Sequence, residues 1–301
     1  MTPFAIAGIQ MPITIHSNVE AMRHRVELVM HLYPWVQMVM FSELACFGPA
    51  LHNAQTLPGA TEEEFQELAS KHGIWLLPGS MFEELGGSIY NTSSVINPEG
   101  NVVARYRKMF PFLPYEVGVT AGVEFVVFDI PQVGRFGVSI CYDMWFPETS
   151  RALTALGAEV ILHPVLTHTI DRDVELNIAR ASAAMFQCYV FDINGLLAGG
   201  NGRSAVIDPS GRTMHQSSVV EDLIPIEIDL DQVRRQRQHG IRGLGQPLKS
   251  FRDTAVDFPI YDRQRRDLAY LQSLGALEKL RRETPSQAHQ DAPVEAMERG
   301  S

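Results

Sequence analysis

The sequence predicts an α/β fold with mixed sheets, and three observations carry that expectation. Short apolar runs alternate with amphipathic, helix-like stretches along most of the chain. Two segments read as hairpins around Pro/Gly turns, which a wholly parallel sheet would not contain. No linker-like stretch interrupts residues 1–260, a length that suits one large domain.

The elements follow in order. Phe4 to Gln10 is an apolar run and reads as the first strand. Asn18 to Tyr33 reads as a helix, because Val19, Met22, Val26, Val29 and Met30 fall near helical spacing. Met38 to Phe41 is a buried strand that stops at Ser42-Glu43. Thr61 opens a second helix, with Glu64 three residues on in a capping-box arrangement. Trp75 to Ser80 is a third strand, and Ser93 to Val103 a hairpin turning at Asn97-Pro98-Glu99-Gly100. Phe136 to Ile140 is a further apolar strand, followed at once by Cys141. Thr149–Leu156 reads as a helix, Glu159–His163 as a strand, Asn177–Gln187 as a helix and Cys188–Ile193 as a strand. A second hairpin spans Ser204 to Met214. Residues 261–283 predict a C-terminal helix with Leu268, Leu271, Leu274, Leu277 and Leu280 three apart, a stripe suited to an oligomer interface. Residues 284–301 lack periodicity and predict a disordered tail.

Composition narrows the function. A net charge of −10 argues against nucleic-acid and anionic-membrane partners. The basic runs Arg234-Arg235-Gln236-Arg237 and Arg263-Gln264-Arg265-Arg266 read as solvated faces. Three cysteines, Cys46, Cys141 and Cys188, form no Cys-x-x-Cys pair and no disulfide framework, as expected of a cytoplasmic protein. The N-terminal segment lacks the basic flank of a signal peptide, and no apolar stretch approaches the roughly 20 residues a membrane span needs.

Three strand ends carry unusual chemistry. Glu43 ends one apolar strand, Lys108 follows a hairpin strand, and Cys141 ends a third. Functional groups gather at such termini in open α/β sheets. Singly, each has an ordinary reading: a turn cap, a solvated member of a basic trio, a small buried core residue. Together a carboxylate, an ammonium and a thiol supply a base, a charge stabiliser and a nucleophile.

Phe41-Ser42-Glu43, Tyr106-Arg107-Lys108 and Ile140-Cys141-Tyr142-Asp143 with Phe146-Pro147-Glu148 resemble the motifs of the carbon–nitrogen hydrolase (nitrilase) superfamily, over roughly residues 4–250. Ser42 stands where that family usually has proline. Glu116, eight residues past Lys108, resembles the second glutamate of the amidase branch, which helps position substrate. The resemblance implies a four-layer α-β-β-α sandwich and a homodimer or larger homo-oligomer. It implies that Glu43 deprotonates Cys141, that Lys108 and the Tyr142 N–H hold the oxyanion, and that a thioester forms, with no metal or organic cofactor. The expected substrate is a small-molecule amide, aliphatic amidase- or formamidase-like. N-carbamoyl amine hydrolysis, nitrile hydrolysis and acyl transfer from the same thioester remain as alternatives. Tyr115, Trp145, His163 and the loop Pro164 to His168 are candidate pocket residues.

Overall fold

The computed structural model describes residues 1–262 and 268–279. The first half of the chain supplies β1 (Pro3–Gln10), β2 (Pro12–Ile13), α1 (Val19–Leu32), β3 (Met38–Phe41), α2 (Ala60–His72), β4 (Trp75–Leu77), β5 (Met81–Leu85), β6 (Ser88–Ile96) and β7 (Val102–Arg107). The second half adds β8 (Val126–Ile130), β9 (Gly134–Val138), α3 (Pro147–Ala155), β10 (Val160–Val165), α4 (Arg172–Phe186) and β11 (Tyr189–Asn194). It continues with β12 (Leu196–Leu197), β13 (Gly200–Asn201), β14 (Ala205–Ile207), β15 (Thr213–Gln216), β16 (Asp222–Asp229) and α5 (Leu230–His239).

One large sheet runs β16-β1-β3-β4-β6-β5 with β7 also paired to β6, a second large sheet runs β15-β14-β11-β10-β9-β8, and a small third joins β13, β12 and β2. Both large sheets are mixed. Ile6 lies opposite Met38 in a parallel pair, whereas β1 and β16 are antiparallel. In the second sheet β9, β10 and β11 are parallel, and hairpin strands flank them.

The period of two along each strand builds the layers. Ile6, Met38, Met40, Trp75 and Leu77 join Phe136, Val138, Leu162 and Phe191 in one cluster between the sheets. The alternate residues Ala7, Ile9, Val39, Phe41 and Leu76 instead meet Val26 and Val29 of α1 and Phe65 and Leu68 of α2. On the far side Ile161, Val190 and Ile207 meet Leu153 of α3 and Ala179, Ala183 and Phe186 of α4. Both faces of each sheet are therefore covered, which is why the central strands are apolar throughout. The result is the expected α-β-β-α sandwich.

Several local expectations are corrected. Helix α2 begins at Ala60, with the Gly59 carbonyl accepting from Glu63 N at 3.0 Å. Thr61 is thus already inside the helix and forms no cap. Glu62 turns inward to Arg105 and Ser94, leaving no capping box. Helix α4 starts five residues before Asn177, and β10 runs past His163 to take in Pro164 and Val165 of the segment expected as a loop. Arg234 and Arg237 are not simply solvated: Arg234 pairs with Glu159 at 2.8 Å, and Arg237 donates to the carbonyls of Ala158 and Gln187. The second basic run lies outside the described residues.

The chain divides into two compact units. The larger comprises Met1–Phe112 and Gly118–Val256, and the second comprises Leu113–Val117 with the described residues from Asp257 onward. Within the second unit, Phe258 and Tyr261 rings lie 5.8 Å apart and the Lys279 ammonium sits 4.7 Å from the Tyr115 ring. Of the helix expected over 261–283, the described residues hold only Ala269–Gln272, and Gly275 follows at φ +78°. Leucines spaced by three rotate around a helix of 3.6 residues per turn, so they mark no single face. The tail at 284–301 lies outside the described residues. Among the described residues, no helix is long and apolar enough to cross a membrane.

Candidate active site

The C-terminal ends of β3, β7, β9 and β10 carry the candidate chemistry. After β3 the chain turns through Glu43, whose N–H donates to Val165 O of β10 at 3.2 Å and so ties one sheet to the other. Leu44 follows at φ +51°, held by its N–H to Ser80 Oγ at 2.9 Å. The neighbouring Gly79 has φ +73°, and a Cβ there would lie 1.9 Å from Ser42 O, so only glycine fits against this turn. Lys108 follows β7, its N–H donating to Asn91 O at 2.9 Å and its carbonyl accepting from Gly122 N at 2.8 Å. The side chains converge. Lys108 Nζ and Asn91 Nδ2 each donate to Glu43 Oε1 at 2.8 Å, and the Glu43 and Lys108 side chains are only 2% and 1% exposed. A buried ion pair of this kind is costly to desolvate, which marks it as a group kept for more than packing.

Cys141 stands three residues past β9, at φ +46°. A left-handed conformation in a non-glycine residue costs about 1–2 kcal/mol and needs local support. Asp143 supplies it. One of its carboxylate oxygens accepts from Ile140 N at 2.8 Å and from the Tyr106 hydroxyl at 2.6 Å, and the other from Phe110 N at 2.9 Å. A single buried carboxylate thus fixes the Cys141 turn and the segment after Lys108 together. Burial pushes its pKa up to about 6, against the pull of those hydrogen bonds.

Cys141 Sγ lies 3.8 Å from Leu166 O and 3.9 Å from Thr167 Oγ1. Burial pushes this thiol well above its ordinary value, the Glu43 charge adds to the rise, and Lys108 opposes it. The resting group is therefore a protonated thiol, not the thiolate that a nearby lysine alone would favour. Its proton must leave as it attacks, so a base is required.

Around the turn, aromatic rings pack closely. Phe110 stacks on Phe146 at 3.7 Å between centroids, and Tyr142 meets Phe112, Phe146 and Trp145 at 4.9, 5.2 and 6.0 Å. Tyr142 follows Cys141 directly in the chain, and Trp145 Nε1 donates to Glu175 Oε1 at 3.4 Å. His163 instead is buried inside the sandwich, its Nδ1 2.8 Å from Ser139 Oγ, and burial pushes its pKa down to about 4, so it is a neutral structural residue. Tyr115 and Glu116 belong to the second unit.

Three residues near Cys141, Glu43 and Lys108 had no assigned role in the sequence, Asn91, Asp143 and Glu175, whereas Thr167 lies in the Pro164–His168 segment expected to line the pocket. Asp143 lay within a motif segment, Asn91 lies in β6, and Thr167 lies just past the end of β10, where the strand-end argument points. Glu175 gave no signal, because an acidic residue in the first turn of a helix is ordinary.

Comparison with known proteins places the chain in a class. The carbon-nitrogen hydrolase family profile matches residues 5–238, so the chain belongs to that family and is an enzyme of it. Its relatives lie in the amidase-like branch. Over 202 residues it is 29% identical to omega-amidase NIT2 of Homo sapiens, covering 62% of this chain and 72% of that protein. Over 181 residues it is 30% identical to 2-oxoglutaramate amidase of Bacillus subtilis, covering 58% and 69%. In fold it is similar to the crystal structure of Saccharomyces cerevisiae Nit3, with a TM-score of 0.73, 24% identity, and coverage of 79% of this chain and 94% of that one.

Proposed function

We propose that this enzyme is a cysteine-dependent amidohydrolase that converts a small linear amide to a carboxylate and ammonia. The observation that carries the reading is the buried Glu43–Lys108 pair, 2.8 Å long, whose two charges both act on the Cys141 thiol. In this mechanism Glu43 takes the thiol proton as sulfur bonds to the amide carbon. Lys108 and the Tyr142 N–H hold the oxyanion, and loss of one such donor typically costs about 100- to 1000-fold. Protonated Glu43 then donates to the leaving nitrogen, the C–N bond breaks, and ammonia departs from a thioester. Water, deprotonated by Glu43, attacks that thioester to release the acid and restore the thiol. Glu116 is assigned the orienting role of the second glutamate of amidase-like relatives. The names of the relatives, omega-amidase and 2-oxoglutaramate amidase, support an amide substrate. The working unit is proposed to be a homo-oligomer, which light scattering on the purified protein would test.

The experiment is ammonia release from simple primary amides, with mass spectrometry of the denatured protein during turnover. An acyl adduct on Cys141 is expected. Turnover without any adduct, or undiminished in Cys141→Ala, would reject a covalent cysteine mechanism.

A further inference from the structure

Glu175, on α4, stands beside Cys141, and the mechanism above does not use it. Its Oε1 accepts from the Thr167 hydroxyl at 2.9 Å and from Trp145 Nε1 at 3.4 Å. The same Thr167 oxygen lies 3.9 Å from Cys141 Sγ, so the carboxylate is one hydroxyl removed from the sulfur. Its charge reaches the thiol and adds to the rise of the thiol pKa.

The charges around Glu175 do not balance. Arg172 meets Glu175 Oε2 only at 3.5 Å, because its guanidinium is committed elsewhere: to Asp192 at 2.5 Å and to the carbonyls of Arg203 and Gly202 at 2.9 and 3.3 Å. Arg172 and Asp192 thus neutralise each other, as Lys108 and Glu43 do. Glu175 shares Arg172 with Asp192 and holds the longer, 3.5 Å arm of that pairing, and 12% of its side chain remains open where Arg172 and Asp192 have 1% each. Burial and the charge of Asp192 push its pKa up, against the pull of the Thr167 hydrogen bond and the Arg172 charge.

Resting on the amide-hydrolysis reading, we propose that Glu175 is the specificity-determining residue of the acyl subsite and selects linear amides carrying an ammonium head on a short alkyl chain. With the amide carbon at Sγ, such a chain runs past Thr167 along the Tyr142 and Trp145 rings, and its ammonium meets Oε2. There it makes a charge-assisted hydrogen bond in a site poor in water. An anionic amide meets a like charge instead. This separates the enzyme from its Bacillus subtilis relative, whose named substrate, 2-oxoglutaramate, is an anion.

The test compares 5-aminopentanamide, hexanamide and the monoamide of glutaric acid, in the wild type and in Glu175→Gln. The wild type is expected to favour 5-aminopentanamide over hexanamide by about tenfold or more in kcat/KM, mainly through KM, as a hydrogen bond to a charged group allows. In Glu175→Gln the ratio should fall to about two or less, and the glutaric monoamide should improve relative to hexanamide. A wild-type ratio near one, or a ratio that survives the substitution, overturns the assignment. Calorimetric binding of n-pentylamine against 1-pentanol to the wild type keeps the test independent of turnover and of the folding of the variant. Tighter amine binding supports the subsite, and equal affinities overturn it. Failure of the parent reading is distinct: it is the absence of ammonia from every amide, whichever alcohol or amine binds.

Discussion

Cys141 and Cys188 are both buried cysteines on the second sheet, one just past β9 and the other just before β11. Cys188 is fully enclosed among Ile161, Ala183 and Phe186, and burial pushes its thiol up to about 12. Cys141 is also pushed up by burial, yet it is 9% exposed, sits at φ +46°, and has the charges of Glu43 and Lys108 acting on it. Burial therefore does not separate the two. What separates them is a strained turn that aims the sulfur at a strand end and a base and a cation placed beside it.

The largest test of that contrast is a pair of substitutions. Cys141→Ala is expected to lower ammonia release by about 10⁴-fold or more. Cys188→Ala should leave kcat/KM within about twofold and cost about 1–2 kcal/mol of stability in chemical denaturation. Equal losses of activity would dissolve the distinction. Next, Glu43→Gln should reduce kcat by about 10²- to 10⁴-fold. It also removes the negative charge 2.8 Å from the buried Lys108 ammonium, lowering stability by about 3–5 kcal/mol. Adding Lys108→Met to that variant should restore the melting temperature without restoring turnover; recovery of activity would remove Glu43 from the base role. Asp143→Asn tests the turn itself. With one oxygen no longer an acceptor, kcat should fall about 10- to 100-fold, as misplaced groups commonly cause. A wild-type kcat would show that Cys141 keeps its geometry without this carboxylate.

The smallest effect concerns the interior behind the turn. Burial holds His163 neutral with a pKa of about 4, against 6.5 when unfolded. Between those values the unfolded chain binds the extra proton. The contribution is complete above pH 6.5 and is lost as the pH falls toward 4. From pH 7 to pH 5 it amounts to about 2 kcal/mol, and His163→Gln should flatten that part of the stability profile. An unchanged profile would mean that His163 is charged in the folded protein.

Much of the fold was legible because central strands covered on both faces leave continuous apolar runs. Met38–Phe41 matches its expected bounds, and the alternation of Met38 and Met40 with Val39 and Phe41 sorts the two packed faces. Helix starts were less legible. Thr61 carried the pattern of a cap, but inward burial of Glu62 against Arg105 set the register of α2 instead. The C-terminal leucines misled because spacing by three resembles helical periodicity without producing a face. Within the site, Glu43, Lys108 and Cys141 stood out as charges and a thiol at strand ends. The left-handed turns at Leu44 and Cys141 did not, since neither residue type announces positive φ. Glu175 was silent for another reason: its proximity to Cys141, through Thr167, arises between β10, α4 and the Cys141 turn, which no local pattern encodes.

The protonated resting state of Cys141 also bears on durability. Oxidation to sulfenic acid and alkylation both proceed through the thiolate and follow its exposure. A thiol that is 9% exposed and held well above its ordinary pKa presents little thiolate between turnovers. The enzyme should therefore lose activity slowly in aerated buffer and react sluggishly with iodoacetamide, becoming vulnerable chiefly when a bound substrate draws the proton away.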